Sequence, residues 1–478
     1  MPEDAFPAAR DAVAAEGLAR LEAELARDLA RLNHPPADWT PPREGPDGRP
    51  AVDALIVGGG MNGLSAAFAL RRLGIAKLRQ IDRRPAGLEG PWLTYARMEL
   101  LRSPKHLTGP AQGLPALTFR AWWEAQTGPE GWDALGYVPR ETWAAYLAWY
   151  GRVTGARVES GTELVSLVPA GPFLAARLRT PAGEETVHAR QLVLATGREG
   201  QASPRIPAVF APWLGARVRH SSEEIDFDGL KGRRLVAIGA SASAFDNACE
   251  AAEHGAETTL LARAHPLPTL NKMKWTVFPG FAQGFPELPP EVRLEWLRHV
   301  MGGRIAPPRH TVQRAVRAGV RIVTGVETER VEDLGDTLRL HAPTGAHDAD
   351  LVILGTGFRF DLTAAPELSG LAERALTLRD LGAGGDDEYL DCPALGPGFE
   401  CRPKPGADPA GLARLRVFTH AAQPSLGNLA NDIPQASEGA GRLARAIARD
   451  LFVEDAAHHR ARLERYAEPE LLGDELTG

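Results

Sequence analysis

Ala54-Leu55-Ile56-Val57-Gly58-Gly59-Gly60-Met61-Asn62-Gly63 is the stretch that decides the fold. Four apolar residues run into a glycine cluster, and Leu64–Leu73 follow with helical spacing. That order predicts strand, tight turn, helix. Gly58 permits the turn, Gly60 lets backbone approach a pyrophosphate, and Gly63 lets the helix pack on the strand. Met61 and Asn62 stand at the helix N-terminus, where free N–H groups and the dipole favour phosphate. Asp82 lies 24 positions after Gly58 and ends the next strand. A carboxylate there accepts from ribose hydroxyls, and Arg83 beside it joins the cofactor-binding candidates. A structural glycine loop is the alternative reading.

The pattern recurs downstream. Leu235–Ile238 precede Gly239-Ala240-Ser241-Ala242-Ser243-Ala244, and Phe245–His254 follow. Arg263 lies 24 positions after Gly239, the same spacing. An arginine suits a 2′-phosphate, where an acid would repel it. The first unit is therefore expected to take a ribose with free hydroxyls, and the second to take NADP through Gly239, Ser241, Ser243 and Arg263. Ser241 stands where the second glycine is expected; its hydroxyl can donate to phosphate but its side chain crowds the approach. Arg263 as a solvated surface charge is the alternative.

Length and composition bound the rest. At about 150 residues per domain, 478 residues suggest two to four domains. Hydrophobic content of 44% with 24% charged residues is that of a globular chain. A net charge of −7 argues against broad nucleic-acid binding. No apolar run reaches membrane-span length, and no signal peptide is visible, so a cytoplasmic protein without a membrane partner is expected. The three cysteines, Cys249, Cys392 and Cys401, form no CxxC pair. That disfavours a disulfide scaffold, a zinc ribbon and thiol redox chemistry. The 13 histidines show no metal spacing, so no metal site is expected.

Leu18, Leu21, Leu25, Leu29 and Leu32 recur at steps of three and four, one stripe of an amphipathic helix that ends before Pro35-Pro36. Packing on the chain's own body is the ordinary use of such a stripe; a dimer contact is the other, and a homo-oligomer is left open. Residues 118–150 hold five of the ten tryptophans and predict two helices around Pro139. Residues 156–195 alternate apolar and polar, as in an antiparallel meander. Residues 264–310 are rich in proline and aromatics, with one helix near Glu291–Met301, and Gly439–Glu454 reads as a late helix.

Two such turns in one chain resemble the two-dinucleotide-binding-domain flavoproteins, and within them the class B flavin-dependent monooxygenases: flavin-containing, N-hydroxylating and Baeyer–Villiger types. The resemblance covers roughly residues 51–450. Gly58, Gly60 and Gly63 with Asp82 resemble the FAD fingerprint. Leu194-Ala195-Thr196-Gly197 resembles the motif that leaves the FAD domain. Trp213-Leu214-Gly215 with His220-Ser221-Ser222 resembles the stretch before the NADPH domain. Asp350 with Leu354-Gly355-Thr356-Gly357-Phe358 is similar to the late Asp…Ala-Thr-Gly-[Phe/Tyr] motif, with Gly355 in place of Ala and Thr363 where some N-hydroxylating members have His or Pro. Trp92 sits where members have Gly-Gly-Thr-Trp near the flavin, and Tyr95–Met98 and Leu101–Lys105 resemble the segment lining its face. Ser425-Leu426-Gly427-Asn428 with Asp432-Ile433-Pro434 resembles the loop that presents backbone N–H groups to the isoalloxazine.

The resemblance implies an α/β chain with two Rossmann-like domains. The expected bounds are a helical arm and linker at 1–50, a discontinuous FAD domain at 51–205 and 348–478, and an inserted NADPH domain at 206–347. It implies an NADPH-dependent FAD monooxygenase acting through a C4a-(hydro)peroxyflavin on a small organic substrate and O2, by N-, S- or Baeyer–Villiger oxygenation. Ser103, Asn428 and Arg97 are the catalytic candidates. Trp92, Arg102, Thr196, Gly197, His220, Thr356, Gly357 and Asp432 join the glycine turns as cofactor-binding candidates. Lys105, Lys272, Lys274 and Trp275 are further candidates for the pocket. Competing readings are an FAD/NADPH oxidoreductase or oxidase without oxygen insertion, and a non-catalytic flavoprotein redox sensor.

Overall fold

The computed structural model describes residues 6–302, 305–385, 389–472 and 475. Helix α1 (Phe6–Arg31) carries the leucine stripe. Leu21 and Leu25 are buried and Leu18 and Leu29 half-buried against an aromatic cluster, so the arm packs on its own chain. Strand β1 (Val52–Val57), helix α2 (Met61–Arg72) and strand β2 (Leu78–Asp82) form the first expected unit. Helices α3 (Phe119–Ala134), kinked at Gly128-Pro129, and α4 (Arg140–Val153) flank Pro139. Their Trp122, Trp132, Trp143 and Tyr146 make the cluster under α1, so this aromatic stretch is core packing. Strands β3 (Val158–Ser160), β4 (Glu163–Ala170), β5 (Phe173–Thr180) and β6 (Gly183–Leu194) follow, with β4, β5 and β6 antiparallel. Strand β7 (Ala202–Pro204) leaves this unit.

Strands β8 (Val218–His220) and β9 (Arg234–Ile238), helix α5 (Ala242–Glu253) and strand β10 (Glu257–Ala262) open the second unit. Residues 264–310 hold α6 (Pro279–Gly284) as well as the expected α7 (Pro290–Gly302). Then come α8 (Arg309–Arg317), β11 (Arg321–Thr324), the antiparallel β12 (Arg330–Asp333), β13 (Leu338–Ala342) and β14 (Gly345–Ala349), and β15 (Leu351–Leu354). The parallel sheet runs β11-β10-β9-β15-β8. One face buries Phe245, Cys249 and Ala315 from the helices; the other packs Val236 and Leu261 against Leu338 and Leu340. That is a three-layer α/β unit.

Strand β16 (Phe358–Phe360) returns and pairs antiparallel with β7, so the two connections between units form one ribbon. Strand β17 (Leu415–Val417) joins β6 in the first sheet, whose order is β3-β2-β1-β6-β5-β4. Short α9 (Gln423–Leu426), α10 (Ala436–Glu454) and α11 (Ala456–Glu464) close the chain. The bound at 348 needs correction: β15 completes the second sheet, and the chain returns only after Gly357. Periodicity marks a strand but not which sheet it joins. Among the described residues no helix is long and apolar enough to cross a membrane.

Candidate active site

The first glycine turn is built by two different demands. Gly58 has φ +123°, and a Cβ there would stand 2.3 Å from the Ala195 carbonyl oxygen. A Cβ on Gly63 would stand 2.0 Å from the Gly58 oxygen. These glycines serve packing. Gly60 differs: its Cβ would meet nothing nearer than 3.8 Å, so the turn is open there. Gly60 is also the N-cap of α2 and offers no side-chain cap, leaving the helix N–H groups free for an anion. Asp82 accepts from Gly59 N at 2.7 Å and from Arg84 N at 2.8 Å. A carboxylate has further lone pairs for hydroxyls. This cradle fits the pyrophosphate and ribose of FAD. Asn62 Nδ2 donates to Ala430 O at 2.6 Å and Phe418 O at 3.3 Å, which ties α2 to the late loop, and its Oδ1 is buried and unpartnered.

The second turn has the same form. Gly239 has φ +141° and lies against Gly355, whose oxygen a Cβ would approach to 2.6 Å. Ser241 is the exposed N-cap of α5, and its side chain makes no cap bond. The turn opens on a cavity of about 1490 Å³. Arg102, Arg198, Arg205, Arg263, Lys274, Arg298 and Arg309 line it, with Glu327 the one acid among the described lining residues. In a chain of net charge −7 that is a local excess of cations, and it fits a phosphate-bearing nucleotide.

Several expected residues are brought together. Ser103 Oγ donates to Asp432 Oδ1 at 3.5 Å, across 329 positions of chain. Burial pushes the Asp432 carboxyl up to about 6, although Ile433 N and Ser103 both favour its charged form. Arg102 pairs with buried Asp246 of α5 at 2.8 Å and lines the cavity. Thr196 Oγ1 accepts from Gln201 Nε2, next to Gly197 at φ +72°. Thr356 Oγ1 donates to Arg205 O, and Gly357 has φ +85°. His220 is buried, and burial lowers its pKa. Its Nδ1 bonds Ser222 Oγ at 2.7 Å and its Nε2 bonds Gly357 O at 3.0 Å, so the ring clamps the connection between units.

Others make contacts of a different kind. Arg97 is buried and donates to Tyr95 O, Ser221 O and Glu223 O, at 2.7, 3.0 and 2.7 Å. The bonds to Ser221 and Glu223 tie the two units, and burial holds its pKa down to about 10. Trp92 is half-buried against Trp143 of the aromatic cluster. Arg83 is largely exposed, 3.9 Å from Glu199. Lys105 is spent on the Trp132 and Leu135 carbonyls, and Lys272 bonds His299. Trp275 is exposed.

Asn428 sits in a buried set of amides and a hydroxyl that the sequence reading missed. Its Nδ2 donates to Thr276 Oγ1 at 2.5 Å and its Oδ1 accepts from Gln423 Nε2 at 3.2 Å. Gln435 Nε2 donates to Thr276 O, and Gln435 Oε1 is buried without a partner. Phe281 and Phe285, stacked at 4.7 Å, lie against Gly427 beside them. Lone Gln and Thr residues in a proline-rich stretch carry no local signal; only the fold assembles them. Among the described residues no His, Cys, Asp and Glu group is arranged for a metal.

Two family models match parts of the chain: FAD-NAD(P)-binding over residues 55–199, and L-lysine 6-monooxygenase/L-ornithine 5-monooxygenase over residues 134–301. An FAD-dependent urate hydroxylase of Xanthomonas campestris pv. campestris is 38% identical over 445 residues, which is 92% of this chain and 94% of the relative. Among solved structures, the ornithine N-hydroxylase of Kutzneria sp. 744 superposes with a TM-score of 0.65 at 16% identity, over 84% of this chain and 100% of its own. The L-lysine 6-monooxygenase of Pseudomonas syringae superposes with a TM-score of 0.62 at 19% identity, over 83% and 99%.

Proposed function

The chain belongs to the FAD-dependent monooxygenase family that includes the Xanthomonas urate hydroxylase, and from that premise we propose that it hydroxylates a planar oxopurine of the urate type. It is an enzyme of FAD and NADP(H). The observation that carries the substrate class is the 38% identity over almost the whole length of both chains. The amide set gives it chemical support. Asn428, Gln423, Gln435 and Thr276 are neutral and bond one another beside Phe281 and Phe285, with Gln435 Oε1 left without a partner. A ring of alternating N–H and C=O groups with an apolar face suits such walls better than an ammonium–carboxylate pair does.

When bound, the two cofactors supply the reducing equivalents and the activation of O2. The residues supply place and polarity. Gly58, Gly60, Met61 and Asn62 with the free end of α2 would hold the FAD pyrophosphate, and Asp82 its ribose. Gly239, Ser241 and Ser243 would hold the coenzyme pyrophosphate, with Arg263 beyond them. Asp432, at about 6, can take up or release a proton at the oxygen facing Ser103 Oγ near neutral pH. The thiol alternative loses support, because all three cysteines are buried and burial pushes Cys249 and Cys401 up to about 12.

A second reading, N-hydroxylation of a basic amino acid, draws on the lysine/ornithine monooxygenase match over residues 134–301. One experiment separates them. NADPH oxidation and O2 uptake by the purified flavoprotein are followed with urate, other oxopurines, ornithine and lysine. Stimulation and product formation by oxopurines alone support the proposal; stimulation by ornithine or lysine alone overturns it.

A further inference from the structure

We propose that Glu327 is a specificity-determining residue, and that with Arg263 it makes a coenzyme site open to NADH as well as NADPH. The inference rests on the reading of the second glycine turn as a nicotinamide-nucleotide site.

The placement follows from the sheet. Strand β10 ends at Ala262, and Arg263 is the next residue. Strand β11 runs parallel beside it, with Thr324 opposite Ala262. The chain then turns at Gly325, φ +73°, and Val326 N donates to Ala262 O at 3.0 Å. That backbone bond sets Glu327 beside Arg263, and Glu327 Oε1 accepts from Arg263 Nη1 at 3.0 Å. Both side chains line the cavity into which the Gly239 turn opens.

In dinucleotide folds an acid near the end of the second strand accepts from a ribose 2′-hydroxyl, while an arginine there accommodates a 2′-phosphate. Here the second strand supplies the arginine and the third supplies an acid against it. The two side chains are 59% and 62% exposed, and so exposed a pair holds its partners weakly. Arg263 can therefore turn to a 2′-phosphate, but the phosphate then lies near the Glu327 carboxylate and part of the gain is lost. A ribose with a free 2′-hydroxyl meets the opposite balance. Glu327 accepts from the hydroxyl, and Arg263 remains neutralised by the same carboxylate.

The test is equilibrium titration calorimetry of the flavin-loaded protein with NADP+ and NAD+, which reads binding without turnover. Wild type is expected to bind the two within about tenfold of each other. Glu327→Gln keeps size and hydrogen bonding but removes the charge. It should tighten NADP+ and weaken NAD+, moving the ratio of dissociation constants by about tenfold towards NADP+. Arg263→Ala should weaken NADP+ by about tenfold or more and leave NAD+ within about twofold. A ratio unchanged within about twofold in Glu327→Gln overturns the inference while the coenzyme site stands. Failure of wild type to bind either nucleotide overturns the coenzyme reading and this inference with it.

Discussion

Ala244 and Gly355 divide one space between them. A Cβ added to Gly355 would lie 2.6 Å from both Cα and Cβ of Ala244 and 2.7 Å from its nitrogen. Ala244 is the last residue of the second turn, where a third glycine or an alanine is usual. Gly355 stands where the resembling late motif has alanine. The methyl present on one side is thus the methyl absent on the other. Gly355→Ala should cost about 1–3 kcal/mol by overpacking. Ala244→Gly alone should cost about 1 kcal/mol from helix propensity. The double variant should recover only the part of the first loss that the Ala244 methyl causes, with a coupling of about 1 kcal/mol, because the Cα and nitrogen of residue 244 still stand 2.6 and 2.7 Å from the new Cβ. Urea unfolding of the four proteins checks it.

The first turn predicts a separation of fold from flavin binding. Gly60 has φ −74° and open space at its Cβ, so Gly60→Val should fold with a near-normal melting temperature and lose most of its FAD. Gly58→Ala meets the Ala195 oxygen at 2.3 Å and a positive φ, and should lose stability as well. The flavin-to-protein ratio and the thermal midpoint of each variant are the readouts.

Asp432 predicts a pH-dependent stability. Its folded pKa of about 6 lies above the ordinary 3.8, so the native state favours the proton. The stabilising contribution is full below the ordinary value and disappears as pH rises through about 6. Asp432→Asn should therefore be the more stable protein above pH 6, by on the order of 2 kcal/mol. The difference should shrink towards zero at the acidic end of a pH series of urea unfolding curves.

Arg97 predicts a structural effect in place of the catalytic one expected from the sequence. Its guanidinium holds the Ser221 and Glu223 carbonyls, and Arg314 Nη1 donates to the Arg97 oxygen from the other unit at 3.0 Å. Arg97→Met leaves buried acceptors unmet and should cost about 2–4 kcal/mol. Protein that remains folded should retain FAD and turn over at close to the wild-type rate. A large loss of turnover without loss of stability would return Arg97 to the active site.

The readable parts of the molecule were the local ones. Both turns follow from a local strand–glycine–helix order, although Gly58 and Gly239 pack against the distant Ala195 and Gly355 carbonyls, and the arm, the aromatic helices and α10 follow from spacing. Asp82 and Arg263 were reached by counting, because one strand–helix–strand unit has a nearly fixed length. What counting could not reach was set by sheet order and side-chain partners. Strand β15 joins the second sheet, which moved the return between units past Gly357. Arg97 looked like a flavin-facing residue but is held by carbonyls more than 120 positions away. Glu327 meets Arg263 across neighbouring strands, and Thr276 meets Asn428 across 152 positions.

The most direct measurement of the central claim is the fate of isotopically labelled O2. The purified flavoprotein is supplied with NADPH and urate under labelled dioxygen, and the products are examined by mass spectrometry. The account predicts one labelled oxygen atom in the urate-derived product. Urate recovered unchanged, with all consumed O2 appearing as hydrogen peroxide, would contradict it.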